Sequence, residues 1–488
     1  MKKLSIYAIA GVLMVAAGCS KFLGKAPDNR TTLDTPEKVS QLLATAYPQA
    51  NYMAFTESIS DNVTDKGAGG VDHTTMDPYF FNDVQDNQQD SPEYYWNACY
   101  SAIAAANHAY AACVEAAEPQ KYIHQKGEAL VARAYSHFML TTIFAKRYDA
   151  KGTNTTPGVP YVTEPEEVVV KQYDRKTVAY DYEMIEKDLQ EGMPLLDDNA
   201  YAIPKYHFTR AAAHAFAARF YLYKQQYDSV IKHATAVFGT AGFANNLRPW
   251  NTDYLQLNYN ELFARYAKAT ENANILLVET ASWWARSFVS SRYGFSAAAK
   301  DDVFRTPVTG GTWSFTNQLY SSGEENFMVP KINEYFVRMS VNANTGYGYV
   351  MVPIFTAEEA LFNRAEAYIM QNNLGAAGDD LDLYMSTRIK NYSPASHSLT
   401  ANKIRSYYGI TNLQAGYLAA LMDFKRAEFV QEGMRWFDLA RYNVPVLHAS
   451  HDNATNTNKI DTLKADDNRR MFQIPQATSI SGLEPNPR

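Results

Sequence analysis

Ala218-Arg219-Phe220-Tyr221-Leu222-Tyr223-Lys224-Gln225-Gln226-Tyr227-Asp228 and Ala365-Glu366-Ala367-Tyr368-Ile369-Met370-Gln371-Asn372-Asn373-Leu374-Gly375 are the two stretches on which the fold reading turns. Aligned on Ala218 and Ala365, with Ala134 as a third member, they place Tyr221, Tyr368 and His137 at one position and Leu222, Ile369 and Phe138 at the next. A small residue lets two helices approach closely, while large residues one turn on fill the space around the contact. In the second and third members a short polar turn follows, and then another amphipathic run.

A helix-turn-helix unit of about 34 residues with this pattern marks a tetratricopeptide-like pair. The three members are unevenly spaced, so long insertions must separate them. Ordinary helical hairpins without common ancestry would give a similar pattern, and in either case the helices read as scaffold. Apolar faces at helical spacing extend the reading to 35–47, 93–116, 122–146, 177–195, 209–224, 227–238, 356–371, 374–389 and 414–429. Thr35-Pro36-Glu37 supplies a capping hydroxyl before a first-turn proline, and Thr356-Ala357-Glu358-Glu359 predicts a capping box. Few stretches alternate like strands. The expected class is mainly α: tetratricopeptide-like helical hairpins over about 122–238 and 356–441 form a scaffold, with long irregular loop insertions and minor β.

Composition narrows the partners. With 488 residues, 46% hydrophobic content, 35 Tyr, 24 Phe and 6 Trp, the chain has ample apolar surface for a large core. A net charge of −7 argues against nucleic acid, which needs a concentrated basic face. Lys2 and Lys3 followed by the apolar run 4–17 read as an export signal, too short to span a bilayer. Ala16-Ala17-Gly18-Cys19 adds the pattern of a bacterial lipoprotein signal: residues 1–18 are removed and Cys19 becomes an acylated N-terminus, with 19–488 as the mature body. A secreted protein without lipid is the competing reading. Cys99 and Cys113 lie in one Ala-rich helical run, about 21 Å apart at 1.5 Å per residue. A disulfide needs Cα atoms within about 7 Å, so two free buried thiols are expected.

Catalytic motifs are few and out of context. Ser229-Val230-Ile231-Lys232 and Ser60-Asp61-Asn62 echo a serine-lysine nucleophile set, but in reversed order, without a Lys-Thr-Gly element and with the first inside a scaffold helix. Asp83, Asp86 and Asp90 could touch a Ca²⁺, yet they lack the loop glycine and terminal Glu of a dedicated site and read first as a solvated acidic loop; no cofactor is expected. The insertions 58–91 and 239–348 are rich in Gly, Ser, Asn and aromatic residues, the natural place for a ligand surface. Trp283, Trp284, Arg292, Tyr293 and Trp313, with Asp61 and Asn62 as polar partners, are the candidate set. Rings stack on the C–H faces of a pyranose, and amide, carboxylate and guanidinium groups bond its hydroxyls. Sealed in a small core, the same rings would serve packing instead. Adjacent Trp283 and Trp284 cannot both face inward if extended, so one is expected to meet solvent.

The run from Phe424 to Arg441, Phe-Lys-Arg-Ala-Glu-Phe-Val-Gln-Glu-Gly-Met-Arg-Trp-Phe-Asp-Leu-Ala-Arg, closely resembles the C-terminal signature of SusD/RagB-like nutrient-binding lipoproteins. Cys19 with Phe22-Leu23 and Pro27 is similar to the family's mature start. Trp96, Tyr100, Ile103 and Asn107 fit its early helix, Arg133-Ala134 and Gly158-Val159-Pro160 its first helical unit, and Asn363 to Tyr368 a later one. Phe424 departs from it, standing where Glu is common. The resemblance implies a surface-exposed outer-membrane lipoprotein, not an enzyme, that binds glycan and hands it to a TonB-dependent, SusC-like transporter. Capture of peptide by the same architecture and a surface glycosidase are the alternatives. Ligand residues vary within the family, so none is carried over. In the signature, Glu428, Glu432, Arg435, Asp438 and Arg441 are spaced for ion-pair ladders and read as structural.

Overall fold

A computed structural model describes residues 32–166, 168, 171–452 and 457–488. The export signal and Cys19 lie outside the described residues. Helices dominate: α1 Pro36–Leu43, α2 Met53–Ser58, α3 Pro92–Glu115, α4 Ile123–Phe144, α5 Val178–Gly192, α6 Arg210–Tyr223, α7 Tyr227–Ala236, α8 Ala357–Met370, α9 Leu374–Ser386, α10 Leu413–Glu428 and α11 Met434–Arg441, with further helices of up to eight residues between them. Cys99 and Cys113 sit on the single helix α3, both buried and free. Among the described residues, no helix is long and apolar enough to cross a membrane.

The hairpins are related in detail. Ala134, Ala218 and Ala365 are fully buried at helix contacts. Hairpins α6–α7 and α8–α9 turn through equivalent left-handed residues, Gln225 at φ +60° and Asn372 at φ +58°. In each, the N–H of the next residue, Gln226 or Asn373, donates to the carbonyl of Tyr221 or Tyr368, a closing bond that satisfies a helix-end acceptor. Helix α8 packs directly on α7, so the two hairpins stack although the long insertion divides them in sequence. The first unit, α4 with α5, is itself interrupted by the Pro- and Thr-rich segment after Phe144.

That long insertion is largely built. Strand β2 (Asn274–Ala281) and strand β4 (Glu334–Arg338) flank β5 (Gly346–Thr356) in an antiparallel sheet, while β1 (Thr64–Asp65) pairs with β3 (Tyr293–Gly294), and β6 (Val446–Asp452) with β7 (Thr457–Leu463). All but one residue of β2 are buried, so it reads as an apolar run without alternation, the pattern that hides a strand from periodicity. Trp250, Trp284, Trp313 and Phe315 are core residues.

A chain of buried charges ties insertion to scaffold. Arg248 bonds Glu358 at 2.7 Å, Arg388 reaches Glu358 at 2.9 Å and Glu428 at 2.7 Å, and all four side chains are sealed from solvent. The neighbouring Glu359 does not close the expected capping box; it pairs with Arg219 of α6, leaving only the Thr356 half of the cap. The signature residues likewise reach across elements rather than along a helix: Glu432 to Lys331, Arg435 to Asp61 and Arg441 to Glu366, with Asp438–Arg441 the one local pair. The helix breaks between α10 and α11, where Gln431 and Gly433 are left-handed and a Cβ on Gly433 would lie 2.2 Å from Thr56 Oγ1. Buried Glu57 accepts the freed N–H groups of both residues, at 2.8 and 2.9 Å.

Removing one member of a buried pair strands the other charge, at about 3–5 kcal/mol. Arg388→Met is expected to lower unfolding free energy by that amount in urea denaturation, and Arg388→Met with Glu428→Leu to recover part of it. A single variant within 1 kcal/mol of wild type would show that the network contributes little.

Candidate functional site

The expected ligand set does not converge. Trp283 is 44% exposed, but Trp284, at 2% exposure, donates from Nε1 to the Gln431 carbonyl in the core. Trp313, also 2% exposed, donates to the Arg305 carbonyl and packs near Phe315 and Phe424. Tyr293 is buried in a satellite cluster with Val63 and Tyr79. Arg292 is held in a two-bond pair by Asp65 at 2.6 and 2.8 Å, which holds its guanidinium charged. Asn62 is buried between Glu57 and Arg426. Asp61 is taken by Arg435; burial alone would raise its carboxyl, but the bonds and charge of Arg435, with Arg426, prevail and lower it to about 2. Apart from Trp283, these rings and charges are consumed by the fold. Of the adjacent pair, one ring is outside and one inside, although the chain turns into a short helix at Trp284 rather than running extended.

Trp283 stands instead beside strand residues that periodicity passed over. On antiparallel β4 and β5, Phe336 pairs with Gly348 and Arg338 with Gly346, so these four share a face with Glu334. A Cβ on Gly348 would lie 2.9 Å from Trp283 Cδ1, and one on Gly346 2.8 Å from Phe336 Cζ. The two rings therefore approach glycine positions closely, where a side chain would collide with them. Phe336 is 50% exposed. Beside them Arg286 forms an ion pair with Glu334, and both residues border a concavity of about 240 Å³ with Tyr259, Asn260, Phe263 and Asn333. The opposite face carries Tyr335, stacked with Tyr349 at 6.2 Å and donating to Glu279, and exposed Tyr347. The ribbon thus offers rings on both faces, with amide, guanidinium and carboxylate groups along one side.

Trp283 is positioned from below. Asp90 accepts from Ser282 Oγ at 2.5 Å and from the Trp283 N–H at 2.7 Å. Burial raises its carboxyl to about 6, against the opposing pull of those two bonds. Asp83 is paired with Arg488, and Asp86 accepts from the Gln88 N–H, so the three carboxylates weighed for Ca²⁺ serve three different partners. Among the described residues no cluster of His, Cys, Asp or Glu is arranged to hold a metal ion.

Phe336, Tyr335, Tyr347 and Arg286 were legible only in part. Glu334-Tyr-Phe-Val-Arg338 is strand-favouring, and Gly346-Tyr347-Gly348-Tyr349 alternates with period two, the signal of a strand with one bare face.

Residues 21–222 match the SusD-like family described as "Starch-binding associating with outer membrane". The fold is that of a SusD superfamily protein from Bacteroides thetaiotaomicron, with a TM-score of 0.70 at 18% identity, covering 93% of this chain and 100% of that one. A SusD superfamily protein from Bacteroides fragilis gives 0.68 at 18% identity, over 92% and 98%. A laminarin-binding SusD-like protein gives 0.60 at 16% identity, over 93% and 99%. No curated protein matches the chain.

The raised Asp90 carboxyl sets a pH dependence. Unfolded, the group releases its proton near its ordinary 3.8; folded, it holds the proton to about 6. Folding therefore takes up a proton between those values. The stability so contributed is complete below about 3.8, falls as pH rises and is lost above about 6. Tryptophan fluorescence is expected to titrate with a midpoint near pH 6, and the transition to vanish in Asp90→Asn. A midpoint near 4 would refute the placement.

Proposed function

We propose that this SusD-like chain binds oligosaccharide or polysaccharide at the cell surface without cleaving it and delivers it to a TonB-dependent, SusC-like transporter. The observation that carries the reading is the open ribbon on which Trp283 and Phe336 stand exposed beside two glycines. A pyranose stacks its C–H face on such rings, and its hydroxyls bond to Asn260, Asn333, Arg286 and Glu334 along the rim. The family's starch-binding description and the laminarin-binding neighbour support carbohydrate as the ligand class. The pattern ending at Cys19 supports a lipid tether with the body in water.

Binding without hydrolysis fits the carboxylates at hand. Glycoside cleavage uses two carboxyl groups facing each other across about 5–9 Å of open cleft. Here Glu334 is held by Arg286, Glu279 by Tyr335, and Asp90 is buried beneath Trp283.

One observation favours peptide as a second ligand class. Strand β4 is a sheet edge with exposed side chains, and such edges accept an extended peptide as an added strand.

Calorimetry against neutral plant, host and microbial glycans separates these readings. Saturable heat without product is expected, weakened roughly tenfold by Trp283→Ala and again by Phe336→Ala. Reducing ends released over time would sink the non-enzymatic reading. Heat only with peptides, insensitive to Trp283→Ala, would move the ligand class to peptide. Co-purification with a channel, lost in Cys19→Ala, tests delivery.

A further inference from the structure

A second cavity, remote in sequence from the ribbon, lies within the helical scaffold. About 250 Å³ in volume, it is framed by the C-terminal end of α4, by α5, by the turn between α6 and α7, and by α11. Five tyrosines line it: Tyr148, Tyr182, Tyr223, Tyr227 and Tyr442, the last donating its hydroxyl to Glu366. Tyr148 and Tyr182 stack at 4.4 Å, and the Arg441 guanidinium lies 5.1 Å from the Tyr223 ring centre. None of the other four hydroxyls bonds to another described residue, which leaves the walls rich in unused donors and acceptors. Two enclosed atoms are also unpartnered: Thr142 Oγ1 and Arg441 Nε.

Its charge is one-sided. Lys146, Arg147 and Arg441 line the space, and no Asp or Glu does. The nearest carboxylates are already committed. Glu366 accepts from both Arg441 Nη atoms and from Tyr442, and Asp438 accepts from Arg441 and Lys425. Arg147 has a distant partner, Asp466 at 3.6 Å. Lys146 is exposed, with no partner among the described residues.

We propose that this cavity binds one carboxylate-bearing sugar ring, a hexuronate. The volume suits a single ring rather than a chain, since pockets for drug-sized ligands run from roughly 300 Å³ upward. Tyrosine faces supply the stacking surface for the ring, and the free phenols supply bonds spread around it, as a polyol needs. Lys146 supplies the counter-charge for the carboxylate. An aliphatic acid would satisfy the charge but leave most of the hydroxyls unpaired, and a neutral hexose would leave Lys146 without its partner. The site is independent of the ribbon, and neither reading requires the other.

The test is ligand-observed NMR and calorimetry on the mature full-length chain with D-glucuronate and D-galacturonate against D-glucose and D-galactose. One uronate per chain is expected, with the neutral hexoses weaker on the order of tenfold. Lys146→Glu, an exposed change that leaves the fold intact, is expected to weaken uronate on the order of tenfold, and Tyr227→Ala to abolish its binding. Trp283→Ala, which removes the ribbon's ring, is expected to leave uronate binding unchanged. Uronate binding that survives both cavity variants, or is lost in Trp283→Ala, overturns the proposal. So does equal affinity for neutral hexoses, or no binding of uronate into the tens of millimolar range. Failure of neutral polymers to bind the ribbon leaves these outcomes untouched, so the two readings fall separately.

Discussion

Arg248, Glu358, Arg388 and Glu428 come from four separate parts of the chain, and each is sealed from water against a partner of opposite sign. A lone buried charge is so unfavourable that the four are stable only together, in one arrangement of the elements that carry them. Glu358 opens helix α8, where the positive end of the helix favours a carboxylate. Arg388 follows α9, Glu428 ends α10, and Arg248 belongs to the insertion. Lys331 and Glu432 add a second pair beside the first, with Tyr266 and Tyr384 donating to the carboxylates. Close packing of Trp250, Trp284, Trp313 and Phe315 seats the long insertion on the stacked hairpins, and the paired charges add directional bonds to that register.

From that register the ribbon follows. Val350 and Val352 on β5 are buried, so the inner end of the strand belongs to the core while its outer end, with Tyr347, projects with β4 into solvent. Ser282 and Trp283 leave β2 at the same level, and buried Asp90 fixes both from the turn before α3. The exposed indole is thus attached at its backbone to a rigid frame while its ring face stays open. Preorganisation of this kind reduces the ordering entropy that a ligand must offset on binding.

The scaffold was legible because its signals are local. Helical periodicity, capping residues such as Thr35 and Thr356, and the alignment of Ala134, Ala218 and Ala365 each lie within a few turns of chain. The indoles were not, because burial is a property of the tertiary arrangement. Trp284 and Trp313 stand among Gly, Ser and Thr like exposed loop residues, yet their N–H groups find carbonyls at Gln431 and Arg305. Asp61 looked like a free polar partner until Arg435, far along the chain, took both its oxygens. The ion pairs of the signature were legible as structural in residue type but not in partner, since three or four residues of spacing is as compatible with reaching across elements as along one. Phe336 was hidden for another reason: the glycines beside its ring read as loop punctuation unless their period of two is weighed against the facing strand.

The two candidate surfaces differ in what their shapes can accept. A ribbon open along its length constrains a ligand in one direction only, by stacking, and so tolerates a long chain in many registers. Its rings stand exposed beside glycines, and its polar groups are few and at the side, an arrangement that rewards repeated weak contacts over a single strong one. The cavity between α4, α5 and α11 is the reverse: its tyrosines enclose a small volume, its donors surround the occupant, and its charge selects one kind of group. Enclosure of that sort discriminates by what is left unpaired when the wrong ligand enters, a steeper penalty than lost stacking. Both shapes depend on the same rigid hairpins, which is why a helical frame with little chemistry of its own can carry surfaces of such different selectivity.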